Sequence, residues 1–132
     1  MLNHITLKVS NLENSRKWYE EALKPLGYKL LHNKETSAGF GQQDTEGTRD
    51  FWIKEGEVSE TKSFSCLAFT ATGKETVKKF YETALKAADI DNGAPDYRPE
   101  YHPGYYAAFV LDPDGYNIEV VWDDLKKLKV AD

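Results

Sequence analysis

The chain has 132 residues, 40% hydrophobic and 30% charged, with a formal net charge of −5 at pH 7. This fits one soluble globular domain and excludes a disordered chain. The negative charge and the scattered lysines argue against a nucleic-acid partner, and no stretch approaches the roughly 20 apolar residues of a membrane span. The single cysteine, Cys66, excludes an internal disulfide. The absence of a secretory signal predicts a cytoplasmic protein.

The first half of the chain predicts one helix and four strands. Ile5, Leu7 and Val9 alternate with polar residues, which is typical of a strand with two different faces. Residues 10–13 read Ser-x-x-Glu, the form of a capping box, and predict a helix that Gly27 ends. Further strands are predicted at residues 28–33, 39–43 and 49–54, with a turn at 44–47. This first module covers about residues 1–55.

The second half predicts the same elements after a polar connection at residues 55–63. A strand begins at Cys66, and residues 72–75 again have the capping-box form before an apolar helical stripe, with members at 77, 80, 81, 84 and 88. A loop rich in Gly, Pro and Tyr covers residues 92–104. The strand expected after the helix, near Ile90, shows no clear alternation of apolar and polar residues. Strands at 105–111 and 116–122 flank a turn at 112–115. The second module covers about residues 64–123, and the charged tail at 123–132 is a short helix or frays.

An internal repeat explains this symmetry. Residues 17–24 and 79–86 are identical at six of eight positions, at an offset of 62. The turn sequences at 44–47 and 112–115 match at an offset of 68. Each module therefore reads β-α-β-β-β. The sequence predicts one α+β domain over residues 1–132, with two tandem modules forming a curved mixed sheet around a cleft and helices on the outer face.

Three segments resemble the vicinal-oxygen-chelate superfamily, which includes glyoxalase I, extradiol dioxygenases, fosfomycin-resistance transferases and bleomycin-binding proteins. They are residues 2–9, residues 15–19 and, most specifically, residues 109–119, where an Asp-Pro-Asp-Gly turn and a glutamate follow a strand. The resemblance covers nearly the whole chain and implies the fold. It does not fix the reaction, because function depends on the site.

The resemblance implies a candidate metal site. Metal-dependent members have four ligands, two from each module, and the motif matches place His4 and Glu119 at such positions. The repeat then assigns Cys66 and Phe51 to the other two positions, and Phe51 cannot bind a metal. His4, Cys66 and Glu119 alone would suffice for a catalytic zinc, and nickel, iron or manganese are the other candidates. The alternative is a metal-free cleft in which His4 and Glu119 are hydrogen-bonded.

The second-module loop supplies further candidate ligand-binding residues. Aromatic rings with polar tips form good walls for a small ligand, and an arginine fork binds carboxylate or phosphate. The full set of predicted ligand-binding residues is Phe51, Trp52, Arg98, Tyr101, His102 and Tyr105. The alternative is a loop that packs its own aromatic side chains over the mouth of the cleft.

Two functions fit these residues. One is a metal-dependent enzyme, such as a lactoylglutathione lyase-like lyase or isomerase or a dioxygenase, in which Glu119 moves a proton beside a carbonyl. The other is a non-catalytic protein that sequesters a small oxygenated or aromatic molecule. Two modules form one cleft within a monomer or exchange to form two clefts across a homodimer. The sequence leaves the substrate, the metal, catalysis and the oligomeric state open.

Overall fold

Both halves of the chain have the same arrangement of strands and one helix. The computed structural model describes residues 2–42, 49–59, 66–88 and 91–130. The elements of module 1 are β1 Ile5–Val9, α1 Leu12–Ala22, a 3₁₀ turn Lys24–Leu26, β2 Tyr28–Asn33, β3 Ser37–Gln42 and β4 Phe51–Glu55. Those of module 2 are β5 Leu67–Thr70, α2 Lys74–Ala88, β6 Asp96–Tyr97, β7 Tyr105–Leu111 and β8 Asn117–Asp123, followed by α3 Leu125–Val130. The predicted α+β fold of two tandem modules is confirmed.

The two sheets share one topology. The first sheet has the order β1-β4-β3-β2 and the second β5-β8-β7-β6. In each, the first strand of the module pairs in parallel with the last, and the other pairs are antiparallel. The predicted turn at 44–47 and the segment around Ile90 lie outside the described residues, as does part of the predicted connection at 55–63. In the described part of the chain, no helix is long and apolar enough to cross a membrane.

The predicted capping box at the start of α1 is wrong by one residue. Asn11 is the N-cap, and its side chain accepts a hydrogen bond of 3.0 Å from the Asn14 amide. Ser10 instead donates its hydroxyl to an Asp114 carboxylate oxygen at 2.5 Å, so it contacts module 2. In α2, the Val77 amide donates to the Gly73 carbonyl at 3.4 Å, and the helix begins at Lys74. Gly27 has φ 80° and ends the 3₁₀ turn that follows α1.

One apolar core serves both modules. The helices α1 and α2 contact each other, and the helix-facing side chains of both sheets join the same buried cluster. Aromatic contacts cross between the modules, since the Phe69 ring lies 5.4 Å from Phe51 and 5.5 Å from Tyr28. The other face of each sheet, which we call the distal face, therefore points away from this shared core.

The turn between β7 and β8 fastens module 2 to module 1. Tyr19 of α1 donates a short hydrogen bond to the buried carboxylate of Asp112. The Ser10 amide also donates to Asp114 at 3.1 Å, and the Tyr116 hydroxyl donates to the Lys8 carbonyl at 2.9 Å. These contacts join the two modules, and the buried hydrogen bond between Tyr19 and Asp112 is the one most removed from water.

The long loop of module 2 is held at both ends. Its Arg98 amide donates to the Tyr105 carbonyl at 2.7 Å, and the short strand β6 pairs with β7. Gly104 has φ +85°, and a Cβ there would lie 2.5 Å from the Asp124 carbonyl oxygen. Only glycine fits this position, since the backbone is left-handed and the neighbour is backbone. The loop is thereby fixed against the segment that leads into α3.

Candidate functional site

Glu119 lies on the distal face of the second sheet. Its neighbours Ile118 and Val120 are fully buried in the shared core, so the alternation along β8 directs Glu119 to the other side. There it pairs with Phe109 of β7 and Ala68 of β5. Glu119 is nevertheless only 3% exposed. A buried carboxylate outside the main core is uncommon and marks this face as the candidate site.

Both oxygens of the Glu119 carboxylate accept hydrogen bonds from neutral groups. The Cys66 thiol donates to Oε1 at 3.5 Å, and the Tyr105 hydroxyl donates a short hydrogen bond to Oε2. Tyr105 and Phe109 share one face of β7 with Ala107, which is fully buried. The ring of Tyr105 thus reaches Glu119 along a strand face that carries only a methyl group between them.

The pKa values of the two donors are raised. Burial is the main cause for Tyr105, followed by its hydrogen bond to Glu119 and the charge of that carboxylate. Burial also raises the pKa of the Cys66 thiol, and the charge of Glu119 raises it further. At neutral pH both groups therefore stay protonated and continue to donate.

This arrangement predicts the reactivity of Cys66. In Glu119→Gln the thiolate no longer faces a carboxylate, so the pKa of Cys66 falls and more thiolate is present at a given pH. Two charges about 4 Å apart in water-like surroundings interact by about 1 kcal/mol, so we expect about five-fold faster alkylation by iodoacetamide at pH 8. Mass spectrometry reports a single adduct, because the chain has one cysteine. Asp123→Asn, which removes the same charge from another position on β8, is the matched control and should leave the rate unchanged.

Three further predicted ligand-binding residues, all from the loop, contact the rings of Tyr105 and Phe109, which neighbour this carboxylate. The Arg98 guanidinium lies over the Phe109 ring at 4.9 Å, and its Nη2 donates to the Ala94 carbonyl at 2.7 Å. Its Nε is buried and has no hydrogen-bond partner among the described residues. The Tyr101 ring, in a residue that is 59% exposed, lies 4.9 Å from Tyr105. These side chains form a partly aromatic rim beside Glu119.

His102 completes the rim on the side of β8. Its Nε2 is 3.1 Å from an Asp123 oxygen, and its ring lies 5.1 Å from that of Tyr105. Sequence reasoning missed Phe109 and Asp123 as members of this site. The alternation of β7 and β8 could have identified both, since each shares a strand face with Tyr105 or Glu119.

The predicted equivalence of Phe51 and Glu119 is wrong. Ile5 pairs with Phe51 in the first sheet, as Leu67 pairs with Ile118 in the second, so the counterpart of Glu119 is Trp52. Phe51 is 1% exposed and faces α1, where its ring lies 4.9 Å from Tyr19. The connection between β3 and β4 is longer than that between β7 and β8, so an alignment of the turn sequences does not fix the register of the strand that follows.

Trp52 occupies the distal face of the first sheet. Its ring covers Gly39, where an added Cβ would lie 3.0 Å from the indole, and the His32 ring is 4.7 Å away. The indole Nε1 donates to the Arg49 carbonyl at 3.1 Å. Trp52 is therefore an aromatic surface in the position where a metal-dependent relative would need a ligand.

The three predicted metal ligands are not brought together in one chain. Cys66 and Glu119 are adjacent on the second sheet, whereas His4 precedes β1 of the first, and its Nδ1 is 2.8 Å from the Asn3 side-chain oxygen. Within residues 2–42, 49–59, 66–88 and 91–130, no three His, Cys, Asp or Glu side chains are placed to hold a metal ion. Within these ranges, the side chains of one chain therefore do not supply the roughly three protein ligands that a catalytic metal site needs.

The sequence was also compared with known proteins. The model of the Glyoxalase/Bleomycin resistance protein/Dioxygenase superfamily matches residues 1–120. The chain belongs to this superfamily. Among curated protein sequences, none matches the chain. The superfamily match confirms the resemblance found in the sequence and establishes a glyoxalase-like protein.

Solved structures of superfamily members share the fold. A glyoxalase/bleomycin resistance protein from Albidiferax ferrireducens T118 superposes with a TM-score of 0.75 at 23% identity, over 91% of this chain and 96% of that one. A glyoxalase-related enzyme from Fulvimarina pelagi gives 0.71 at 19% identity, over 92% and 87%. Glyoxalase I from Zea mays gives 0.74 at 27% identity, and the match covers 98% of this chain but 49% of the maize chain. This chain therefore spans about half the length of the maize enzyme.

Proposed function

We propose that this protein binds a small oxygenated aromatic molecule on the distal face of the second sheet, with Glu119 as the central hydrogen-bond acceptor. The observation that carries the proposal is the buried Glu119 carboxylate, which accepts hydrogen bonds from the neutral donors Cys66 and Tyr105 and, among the residues that the structure describes, from no other side chain. An ionised carboxylate offers about four lone-pair positions, and two remain for a ligand. A buried acceptor with spare capacity favours a ligand that donates a hydroxyl.

The surroundings of Glu119 define the rest of the ligand. Phe109, Tyr101 and Tyr105 supply ring surfaces for a planar body. Arg98 lies over Phe109, and its buried Nε has no partner in the part of the chain that the structure describes, so it supports an anionic or carbonyl oxygen at the other end of the ligand. A molecule with a hydroxyl at one end and a carboxylate at the other matches this pair of groups.

The residue at the fourth ligand position favours binding over metal-assisted proton transfer. Trp52 occupies the fourth ligand position, and an indole ring cannot coordinate a metal.

The test uses 4-hydroxybenzoate as the probe, with phenol and benzoate as its two halves. We expect ¹H–¹⁵N NMR shifts to map to β7, β8 and the loop, and the probe to bind more tightly than either half. A hydrogen bond to a charged group contributes about 1.5–3 kcal/mol, so Glu119→Gln should weaken binding about ten-fold or more. Trp52→Phe serves as a control, since Trp52 lies on the other sheet. Equal affinity of Glu119→Gln and the parent chain would refute the proposal.

A metal-dependent lyase or dioxygenase is the second candidate. The adjacency of Cys66 Sγ and Glu119 Oε1 favours it, because these two groups need only a further ligand. The distal faces point away from the shared core, so a homodimer could place His4 of a second copy opposite them. Stoichiometric zinc, nickel, iron or manganese in protein purified without chelator would favour this candidate, provided that the metal is lost in Glu119→Gln and in His4→Ala and that the protein is a dimer by light scattering.

A further inference from the structure

We propose a second small-molecule site where the two modules meet, which binds a protonated amine with an apolar body. A cavity of about 370 Å³ lies there, between the start of β1 and the edge strand β5. This volume is within the range of ligand pockets, about 300–1,000 Å³. The site goes beyond the function proposed for the Glu119 face, since neither Glu119 nor its donors Cys66 and Tyr105 line the cavity.

Aromatic rings form the apolar part of the cavity. Phe51 and Phe69 are buried and meet edge to face at 5.4 Å, and Tyr28 meets Phe69 in the same way at 5.5 Å. Leu2, which is 79% exposed, lies at the rim. An exposed leucine beside the half-buried Leu67 favours a ligand whose apolar body displaces water from both leucines.

One carboxylate gives the cavity its charge. Asp50 accepts a hydrogen bond of 2.9 Å from the Tyr28 hydroxyl. Burial, followed by this hydrogen bond, raises the pKa of Tyr28, so its hydroxyl stays neutral. Among the described residues that line the cavity, Asp50 is the one ionised side chain, and the amides of Asn3 and Gln42 are neutral. A carboxylate at the rim of an aromatic cavity attracts a cation and repels an anion.

The edge of β5 adds hydrogen-bond acceptors. The Ala71 amide donates to the Val121 carbonyl at 2.8 Å, so this residue directs its backbone groups to β8. Alternate residues of a strand direct them to opposite sides, and Ala68 and Thr70 therefore direct their carbonyls away from β8, at the edge where the cavity lies. An ammonium group has three donors, which suits one carboxylate and such carbonyls together.

The experiment compares 2-phenylethylamine with its neutral analogue 2-phenylethanol by ¹H–¹⁵N NMR titration of the full chain. We expect shifts at residues 67–70 and a preference for the amine of about five-fold, the upper value for an exposed ion pair. Asp50→Asn should abolish the preference, while its side-chain oxygen still accepts from Tyr28 and preserves the fold. The preference should also decrease at high salt.

Glu119→Gln separates this site from the Glu119 face. It should leave amine binding unchanged while it weakens 4-hydroxybenzoate binding, so the two proposals are tested independently of each other. Equal affinity for amine and alcohol overturns the inference. A preference that survives Asp50→Asn, or one that Glu119→Gln removes, also overturns it.

Discussion

Asp112→Ala is expected to lower the free energy of unfolding by about 3 kcal/mol. The Asp112 carboxylate is fully buried and accepts from the Tyr19 hydroxyl and from the amides of Asp114 and Tyr116. Alanine leaves these three donors without a partner, and each buried unsatisfied donor costs about 1–3 kcal/mol before water enters the space. Because Tyr19 belongs to module 1, the loss also weakens the contact between the modules. Denaturant unfolding followed by circular dichroism measures the change.

Asp112→Asn is the matched control for this substitution. Its amide keeps an acceptor for the two backbone donors and a group that can hydrogen-bond to Tyr19, so we expect a loss below about 1 kcal/mol. Burial raises the pKa of Asp112 despite its hydrogen bonds, so the carboxyl holds its proton more tightly in the folded chain than in the unfolded chain. The parent chain should therefore lose stability relative to Asp112→Asn as pH rises from the ordinary value of 3.8 through the raised pKa. Equal stability of the alanine and asparagine variants would show that Asp112 does not join the modules.

Phe51→Ala is expected to cost about 3–5 kcal/mol, whereas Trp52→Ala should cost about 1–2 kcal/mol. Phe51 is 1% exposed and contacts the rings of Tyr19, Phe40 and Phe69, so its removal opens a cavity in the shared core. Trp52 is partly exposed on the distal face, and its removal mainly uncovers Gly39. Chemical denaturation of both variants measures the difference. A larger loss of stability in Trp52→Ala than in Phe51→Ala would contradict this placement, and would instead support the register that the turn alignment predicts.

The repeat made the fold predictable, but not the register of every strand. The identities between residues 17–24 and 79–86 placed both helices correctly, and β7 has the predicted bounds. Phe51 was misplaced because a turn motif does not fix how many residues separate it from the next strand. The apolar alternation would have corrected this, since Phe51 and Ile53 match Ile118 and Val120 as helix-facing residues.

Candidate residues of the site could be named from the sequence, but the contacts between them could not. The loop that carries Arg98, Tyr101 and His102 was identified from its composition, and β8 placed Glu119 away from the core. The contact of Tyr105 with Glu119 depends on the small Ala107 between them, and that of Ser10 with Asp114 joins residues 104 positions apart. Such pairs follow from tertiary packing, which overrides local signals like the capping box.

The turn of module 2 that holds Ser10, Tyr19 and the Lys8 carbonyl makes the two halves dependent on each other. A chimaera that joins module 1 of one relative to module 2 of another keeps this junction only if both parents carry matching groups. Substitutions at Asp112 or Asp114 are therefore expected to be tolerated in evolution only together with changes in the opposite half. The two modules share a sequence repeat, yet one module cannot replace the other, because each supplies different groups to this junction.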